Sequence, residues 1–163
     1  MLAQDFIIRE INPEDNAQIA VVIREVILEM GAPKVGTAYE DKATDQMYET
    51  YQKSKATYYV LEYDNKIVGG AGIAQLDNFD GNTCELQKMY FLPVTRGKGI
   101  GSRLMSSCID RAKEYGYLHC YLETMPYMDA ARSLYRKTGF VDLEKPLGNT
   151  GHYSCSRWMI KEL

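Results

Sequence analysis

One stretch limits the fold more than any other: Leu86-Gln87-Lys88-Met89-Tyr90-Phe91-Leu92-Pro93-Val94-Thr95-Arg96-Gly97-Lys98-Gly99-Ile100-Gly101. It reads as an apolar strand, a proline, a glycine-rich turn and the first turn of an amphipathic helix. The first amides of a helix have no carbonyl partner within it, and the helix dipole favours an anion beside them. Gly97, Gly99 and Gly101 remove the Cβ atoms that would hold a ligand away from that backbone. A strand that delivers the chain into such a turn makes a phosphate site, so the chain is expected to bind a phosphorylated cofactor.

The flanking patterns supply the rest of the architecture. Residues 5–11 read as a strand, and Asn12-Pro13 opens a helix over 13–30. Ile19, Val22, Ile23, Val26, Ile27 and Met30 share one face of that helix. Residues 32–40 hold Pro33 and Gly36 and read as a loop, and 41–53 predict a second helix. The β-branched and aromatic run 57–63, a turn at 64–66 and the run 67–76 form a hairpin. Gly69, Gly70 and Gly72 in its return strand mark places where something passes close. A polar turn at 77–82 leads to a strand over 84–92. Beyond the glycine turn, Ile100, Leu104, Met105, Cys108, Ile109 and Ala112 make one helix face, and Gly116 ends it. A strand over 117–123, a helix over 127–138, a short strand over 140–143, a loop at 146–151 and a strand over 152–161 follow. Trp158 and Ile160 are the expected core residues of that last strand. This order predicts one α+β domain over residues 1–163, a mixed, mostly antiparallel sheet with helices on both faces.

The bulk numbers exclude several classes. The net charge is −3, from 19 basic and 22 acidic residues, which argues against a nucleic-acid partner and suits a cationic substrate better. The four cysteines form no C-x-x-C pair, and His119 and His152 do not join them at metal-ligand spacing. Buried free thiols in a reducing compartment, and no metal, are expected. There is no run of 18 apolar residues and no secretory h-region, so a cytoplasmic protein without a membrane partner is expected.

Three glycine-loop chemistries compete for the turn. A P-loop needs G-x-x-x-x-G-K-[ST], which is absent. A dinucleotide turn needs G-x-G-x-x-G, but the sixth position from Gly97 is Ser102 and from Gly99 is Leu104. Glu123 does lie 22 residues after Gly101, where a ribose-binding acid would sit. Against that, Pro93 to Arg96 separate strand from turn, and too little chain follows Glu123 for a doubly wound sheet.

The third pattern fits. Arg96-x-x-Gly99-x-Gly101 after an apolar strand resembles motif A of the GCN5-related N-acetyltransferase (GNAT) superfamily. Leu134-Tyr135-Arg136-Lys137-Thr138-Gly139-Phe140 resembles that family's L-Y-x-x-x-G-F motif. The resemblance runs along nearly the whole chain and implies a GNAT-like domain with a splayed β4/β5 pair. It also implies acetyl-CoA as acyl donor, with its pyrophosphate wrapped by Arg96, Gly97, Lys98, Gly99, Ile100, Gly101 and Ser102. Met89, Tyr90 and Phe91 would line the thioester end, with the Met89 amide on the acetyl carbonyl. The spacing of Leu86, Met89 and Phe91 slips by one residue, which agrees with the β-bulge the family carries there.

Acetyl transfer to an amine needs loss of the amine proton, a donor for the carbonyl oxygen and an acid for the leaving thiolate. The resemblance makes Tyr135 the acid. It makes Glu123 the first choice of base, with Glu85 as the equivalent of another branch's base. His152, whose side chain titrates near neutral pH, is a third option. One departure stands out: the family's pantetheine-contacting Asn is replaced by Met128, with Asp129 beside it. The acceptor site would come from residues 29–45 and 147–153, which hold Glu29, Tyr39, Glu40, Asp41, Asp45, His152 and Tyr153. The expected activity is acetylation of a primary amine on a small molecule or peptide. The alternative is a non-catalytic acyl-CoA-binding or sensor module on the same fold. The resemblance also allows a homodimer.

Overall fold

The structure, a computed structural model, describes residues 2, 5–126 and 128–163. Strands β1 (Ile7–Glu10), β2 (Thr57–Tyr63), β3 (Lys66–Gln75), β4 (Thr83–Phe91), β5 (His119–Thr124), β6 (Val141–Leu143) and β7 (Arg157–Glu162) form one sheet. Its order is β1-β2-β3-β4-β5-β7-β6, and only the β4–β5 pair is parallel. Helices α1 (Asn16–Glu29) and α2 (Met47–Thr50) lie on one face. Helices α3 (Ile100–Glu114) and α4 (Asp129–Thr138) lie on the other.

The apolar stripes place these layers. Ile19, Val22, Ile23, Val26 and Ile27 of α1 pack on Tyr58, Val60 and Ile67. Leu104, Met105, Cys108 and Ile109 of α3 pack on Ala71, Ile73, Cys84 and Leu86 on the opposite face. The β3 glycines meet a ring rather than a gap: a Cβ on Gly70 or Gly72 would sit 2.6 or 2.5 Å from Tyr58. Tyr58 thereby lies close against β3 and donates its hydroxyl to the Lys88 carbonyl at 2.7 Å.

That carbonyl belongs to the predicted bulge. Gly70 pairs with Tyr90 and Gly72 with Gln87, so β4 carries one residue more than β3 across this step. Lys88 adopts φ 47, in the left-handed region, as one residue of a bulge must leave the regular strand. The predicted splay is also present. β4 and β5 pair only from Thr83–Glu85 to His119–Tyr121, after which β5 continues against β7 alone. The β4 edge beyond Glu85 therefore opens a gap in the sheet.

Three local expectations need correction. The helix expected over 41–53 is a 3-10 turn at Lys42–Asp45 followed by the single-turn α2, because Gln46 (φ −134, ψ 48) breaks the run. Side-chain bonds hold that break: Thr44 Oγ1 donates to the Ala38 carbonyl, and Arg24 grips Asp45. The last strand begins at Arg157, not 152, since Cys155 turns back to bond the His152 carbonyl. Within it, Met159 is the buried residue, whereas Trp158 and Ile160 are half-buried. Met159 faces the α3/α4 layer, and Trp158 lines a pocket with Glu123 and the loop at 146–155. The last helix begins at Asp129; position 127, part of the expected span, lies outside the described residues.

Candidate active site

The glycine turn, the bulged strand and α4 close on one apolar cleft of about 270 Å³. Met89, Tyr90 and Phe91 form one wall, Gly97, Gly99 and Gly101 another, and Ala131, Leu134 and Tyr135 a third. The first backbone bond of α3 runs from the Arg103 amide to the Gly99 carbonyl at 3.2 Å. The amides of Ile100, Gly101 and Ser102 precede it and have no helix carbonyl to bond. Gly97 (φ 74) and Gly99 (φ 71) need their glycine for backbone conformation, and a Cβ on either would meet nothing within 4 Å. That open ground beside unpaired amides is what a pyrophosphate requires.

Not every expected contact points inward. Lys98 folds back, with Nζ donating to the Val94 carbonyl at 3.0 Å, and the Ser102 side chain is exposed outside the cleft. Arg96 reaches across the mouth to Glu29 of α1 at 2.5 Å. Met128 lines the cleft wall and receives the Thr124 hydroxyl on its sulfur at 3.7 Å, whereas Asp129 is turned to solvent. Val26 and Met30 of α1 complete the cleft, which no motif indicated.

Behind the sheet gap lies a second, polar pocket of about 330 Å³, whose walls include Asp41, Glu85, Lys88, Glu123 and His152. A third cavity of about 50 Å³ lies between β4 and β5. It shares Met89, Tyr90, Met128 and Tyr135 with the cleft, and Lys88, Glu123 and Cys155 with the polar pocket. Tyr135 is 7% exposed, packs edge-on against Phe140 at 6.1 Å, and its hydroxyl has no hydrogen-bond partner among the described residues. Burial, with the Cys155 charge behind it, pushes this phenol up to about 12. Burial first, and then the Glu123, Glu85 and Asp41 charges, push the Cys155 thiol up to about 12.

The carboxylates occupy different environments. Glu123 accepts from Tyr121 Oη at 2.7 Å on one oxygen and from Thr150 Oγ1 on the other. Glu85 is 5% exposed and ends a chain in which Tyr51 donates to Gln87, and Gln87 to Glu85 at 2.8 Å. Burial, reinforced by the Glu123 charge, drives the Glu85 carboxyl up to about 7, against the pull of Gln87. His152 Nε2 meets Asp41 Oδ2 at 2.6 Å. Burial disfavours the imidazolium, but the Asp41 bond and charge outweigh it and hold His152 above its ordinary value. Burial likewise opposes the Asp41 charge, and His152 and Lys88 together bring Asp41 below the usual carboxylate range.

Of the seven residues expected around the acceptor, only Asp41 and His152 enter this pocket. Glu29 and Asp45 are taken by Arg96 and Arg24. Tyr39 lies under Arg24 and Lys34, Glu40 accepts the Gly36 amide, and Tyr153 is exposed. Lys88, Gln87 and Cys155 were not anticipated. Strand alternation alone puts Lys88 on the Leu86 face; the bulge turns it beside Gln87 into the polar pocket. Among the described residues no His/Cys/Asp/Glu cluster suits a metal ion, and no helix is long and apolar enough to cross a membrane.

A family model described as the acetyltransferase (GNAT) family matches residues 25–140. The uncharacterized N-acetyltransferase YjgM of Escherichia coli (strain K12) is 40% identical over 161 residues, 98% of this chain and 96% of that protein. Among solved structures, an acetyltransferase of the GNAT family from Staphylococcus aureus Mu50 is similar with a TM-score of 0.83. It is 22% identical and covers 97% of this chain and 99% of its own. The Salmonella typhimurium protein yncA, solved with acetyl-CoA, is similar at a TM-score of 0.77 and 22% identity, over 98% of this chain and 94% of its own.

Proposed function

The chain belongs to the GNAT acetyltransferase family, and from that premise we propose that it moves an acetyl group from acetyl-CoA directly to a primary amine held in the polar pocket. The observation that carries this reading is the small cavity between β4 and β5, which holds Tyr135 and Glu123 and shares its walls with both the glycine-lined cleft and the polar pocket.

The donor fits the cleft. Unpaired amides at the start of α3 would take the pyrophosphate, with Arg96, Gly97, Lys98, Gly99, Ile100, Gly101 and Ser102 as the loop around it. The apolar walls suit the pantetheine arm, and the yncA structure holds acetyl-CoA on the same fold. When bound, the thioester supplies the acetyl carbon. Met89, Tyr90 and Phe91 would seat it, with the Met89 amide facing the carbonyl oxygen.

The residues of that small cavity then divide the proton traffic. An ammonium cannot attack, so the amine must first give up a proton. Glu123, fixed by Tyr121 and Thr150, stands where the two chambers meet and takes that proton directly or through a water. The amine nitrogen bonds to the carbonyl carbon, the carbon–sulfur bond breaks, the Tyr135 phenol donates to the departing sulfur, and the second proton shed by the acylated nitrogen restores that phenol. Burial keeps that phenol protonated throughout the neutral range. The same holds for the Cys155 thiol, which favours direct attack over relay through a cysteine.

The test is release of CoA thiol from acetyl-CoA across a broad panel of primary amines, with Tyr135→Phe and Glu123→Gln beside the parent. Turnover with at least one amine is expected, and Tyr135→Phe should lower kcat by roughly 100–10,000-fold, on the scale of general acid catalysis. Full retention of rate would remove Tyr135 from the mechanism. Tight acetyl-CoA binding with no turnover on any amine would favour the acyl-CoA-binding module instead.

A further inference from the structure

We infer that Lys88 reads a carboxylate on the acceptor, so that the acceptor is an α-amino acid rather than a polyamine or an aminosugar. The inference rests on the transfer reaction proposed above and adds the chemical class of its second substrate.

Lys88 is an unusual residue to find in such a wall. Its side chain is only 9% exposed. An ammonium carries three donors and pays heavily for burial unless anions meet them. The nearest acceptor among the described residues is Asp41 Oδ2 at 3.5 Å, too long for a strong charge-assisted bond. That same oxygen is already held by His152 at 2.6 Å. Asp41 Oδ2 thus serves both side chains, and the Lys88 donors remain available to a second anion.

The whole pocket is charged at both signs. Lys42, Lys53, Lys88 and His152 line it together with Asp41, Asp77, Glu85 and Glu123. A polyamine would bring several like charges against the Lys88 ammonium, which is destabilising in such a setting. An aminosugar offers hydroxyls but no anion for Lys88. A zwitterion satisfies both signs, with its ammonium toward Glu123 and its carboxylate toward Lys88.

Position along the strand sets the distance between the two groups. Lys88 directly precedes Met89, whose amide faces the acetyl carbonyl in the proposed reaction. The attacking nitrogen must approach that carbonyl, and Lys88 shares a cavity of about 50 Å³ with Met89, Glu123 and Tyr135, so a carboxylate bound by Lys88 there lies near that nitrogen. An α-amino acid meets this, and a pocket of about 330 Å³ is at the small end of ligand sites. The bulge produces the arrangement. It points Met89 toward the cleft and its neighbour Lys88 toward the acceptor chamber, which an unbulged strand would reach with only one of every two residues.

The test uses two independent readouts on the full chain. In the first, CoA-loaded protein is titrated calorimetrically with N-acetyl derivatives of the common L-amino acids and with the matching N-acetyl carboxamides. In the second, thiol release from acetyl-CoA is followed with free L-amino acids, their carboxamides and spermidine. At least one acid should bind, and be used, at least tenfold better than its carboxamide. Lys88→Met should erase that preference, the acid falling to the level of its carboxamide, and Lys88→Arg should keep it. Equal handling of acid and carboxamide, a preference for spermidine, or a preference that survives Lys88→Met would overturn the assignment. Carboxylate-selective binding without turnover on any amine would uphold it and overturn the transfer reaction. Turnover of acid and carboxamide alike would do the reverse.

Discussion

Replacing Glu85 by Gln should stabilise the protein at alkaline pH and not at acid pH. Glu85 is 5% exposed, and its carboxyl ordinarily titrates near 4.5. In the fold, burial and the Glu123 charge drive it up to about 7. A folded-state value above the unfolded one means the native state binds the extra proton between the two. Stability from this group is therefore intact below about pH 4.5 and declines as pH rises through 7. The gap amounts to roughly 3 kcal/mol once the group is charged in both states. Glutamine has nearly the same shape, and its amide oxygen can still accept from Gln87 Nε2, now 2.8 Å away. Urea unfolding of both proteins between about pH 5 and pH 9 measures the difference. With a typical slope of about 2 kcal/mol per molar urea, the midpoint of the variant should exceed that of the parent by about 1.5 M at the alkaline end. The two should converge toward the acid end. A constant offset across the range, or an advantage that grows toward acid, would show that Glu85 is not held protonated. Repeating the pair in a Glu123→Gln background should shrink the effect, because one of the two causes is then gone.

Other perturbations probe other parts. Gly101→Val places a Cβ 3.0 Å from Leu134 Cδ2 and beside Phe91 and Met89; the KM for acetyl-CoA should rise about tenfold or more while the far-ultraviolet circular dichroism is unchanged. Gly70→Ala drives a methyl into Tyr58, 2.6 Å from its hydroxyl, and should cost about 2–4 kcal/mol by chemical denaturation, since both β3 and the ring are fixed by neighbours. The His152–Asp41 pair joins the loop at 149–156 to the loop at 32–41, with the Ser154 hydroxyl bonded to the Val35 carbonyl beside it. His152 is held above its ordinary value, so this contribution is full below about pH 6.5 and fades as pH rises through the raised value. Hydrogen exchange at the Ser154 amide should accelerate across that rise, and Asp41→Asn should make it fast at every pH.

Much of the donor half was legible because local chemistry demands it. A helix that starts at a glycine turn must leave amides unpaired, whatever surrounds it. The parity slip between Leu86 and Met89 could only be a bulge if both residues were to stay apolar-side. The acceptor half was far less legible. Of the acids in 29–45, Glu29 and Asp45 are consumed by partners distant in sequence, Arg96 and Arg24. Among those acids only Asp41 reaches the pocket, and its partner lies 111 residues away at His152. The short α2 and the late start of β7 were misjudged for a related reason. Side-chain bonds between remote loops outweigh weak helical and strand patterns in both places.

The division follows from the range of the forces. By itself, the sequence determined the elements whose stability is local: the apolar stripes of α1 and α3, the hairpin, the bulge and the glycine turn. These carried the family and the donor with them. Only the tertiary structure decided that β4 and β5 part beyond Glu85 and that a small cavity lies there between the two chambers. It also decided that Glu85 is buried beside Glu123 and that Lys88 lines the polar pocket. Burial and charge proximity set proton affinity and recognition, and both arise only when strands distant in the chain lie side by side.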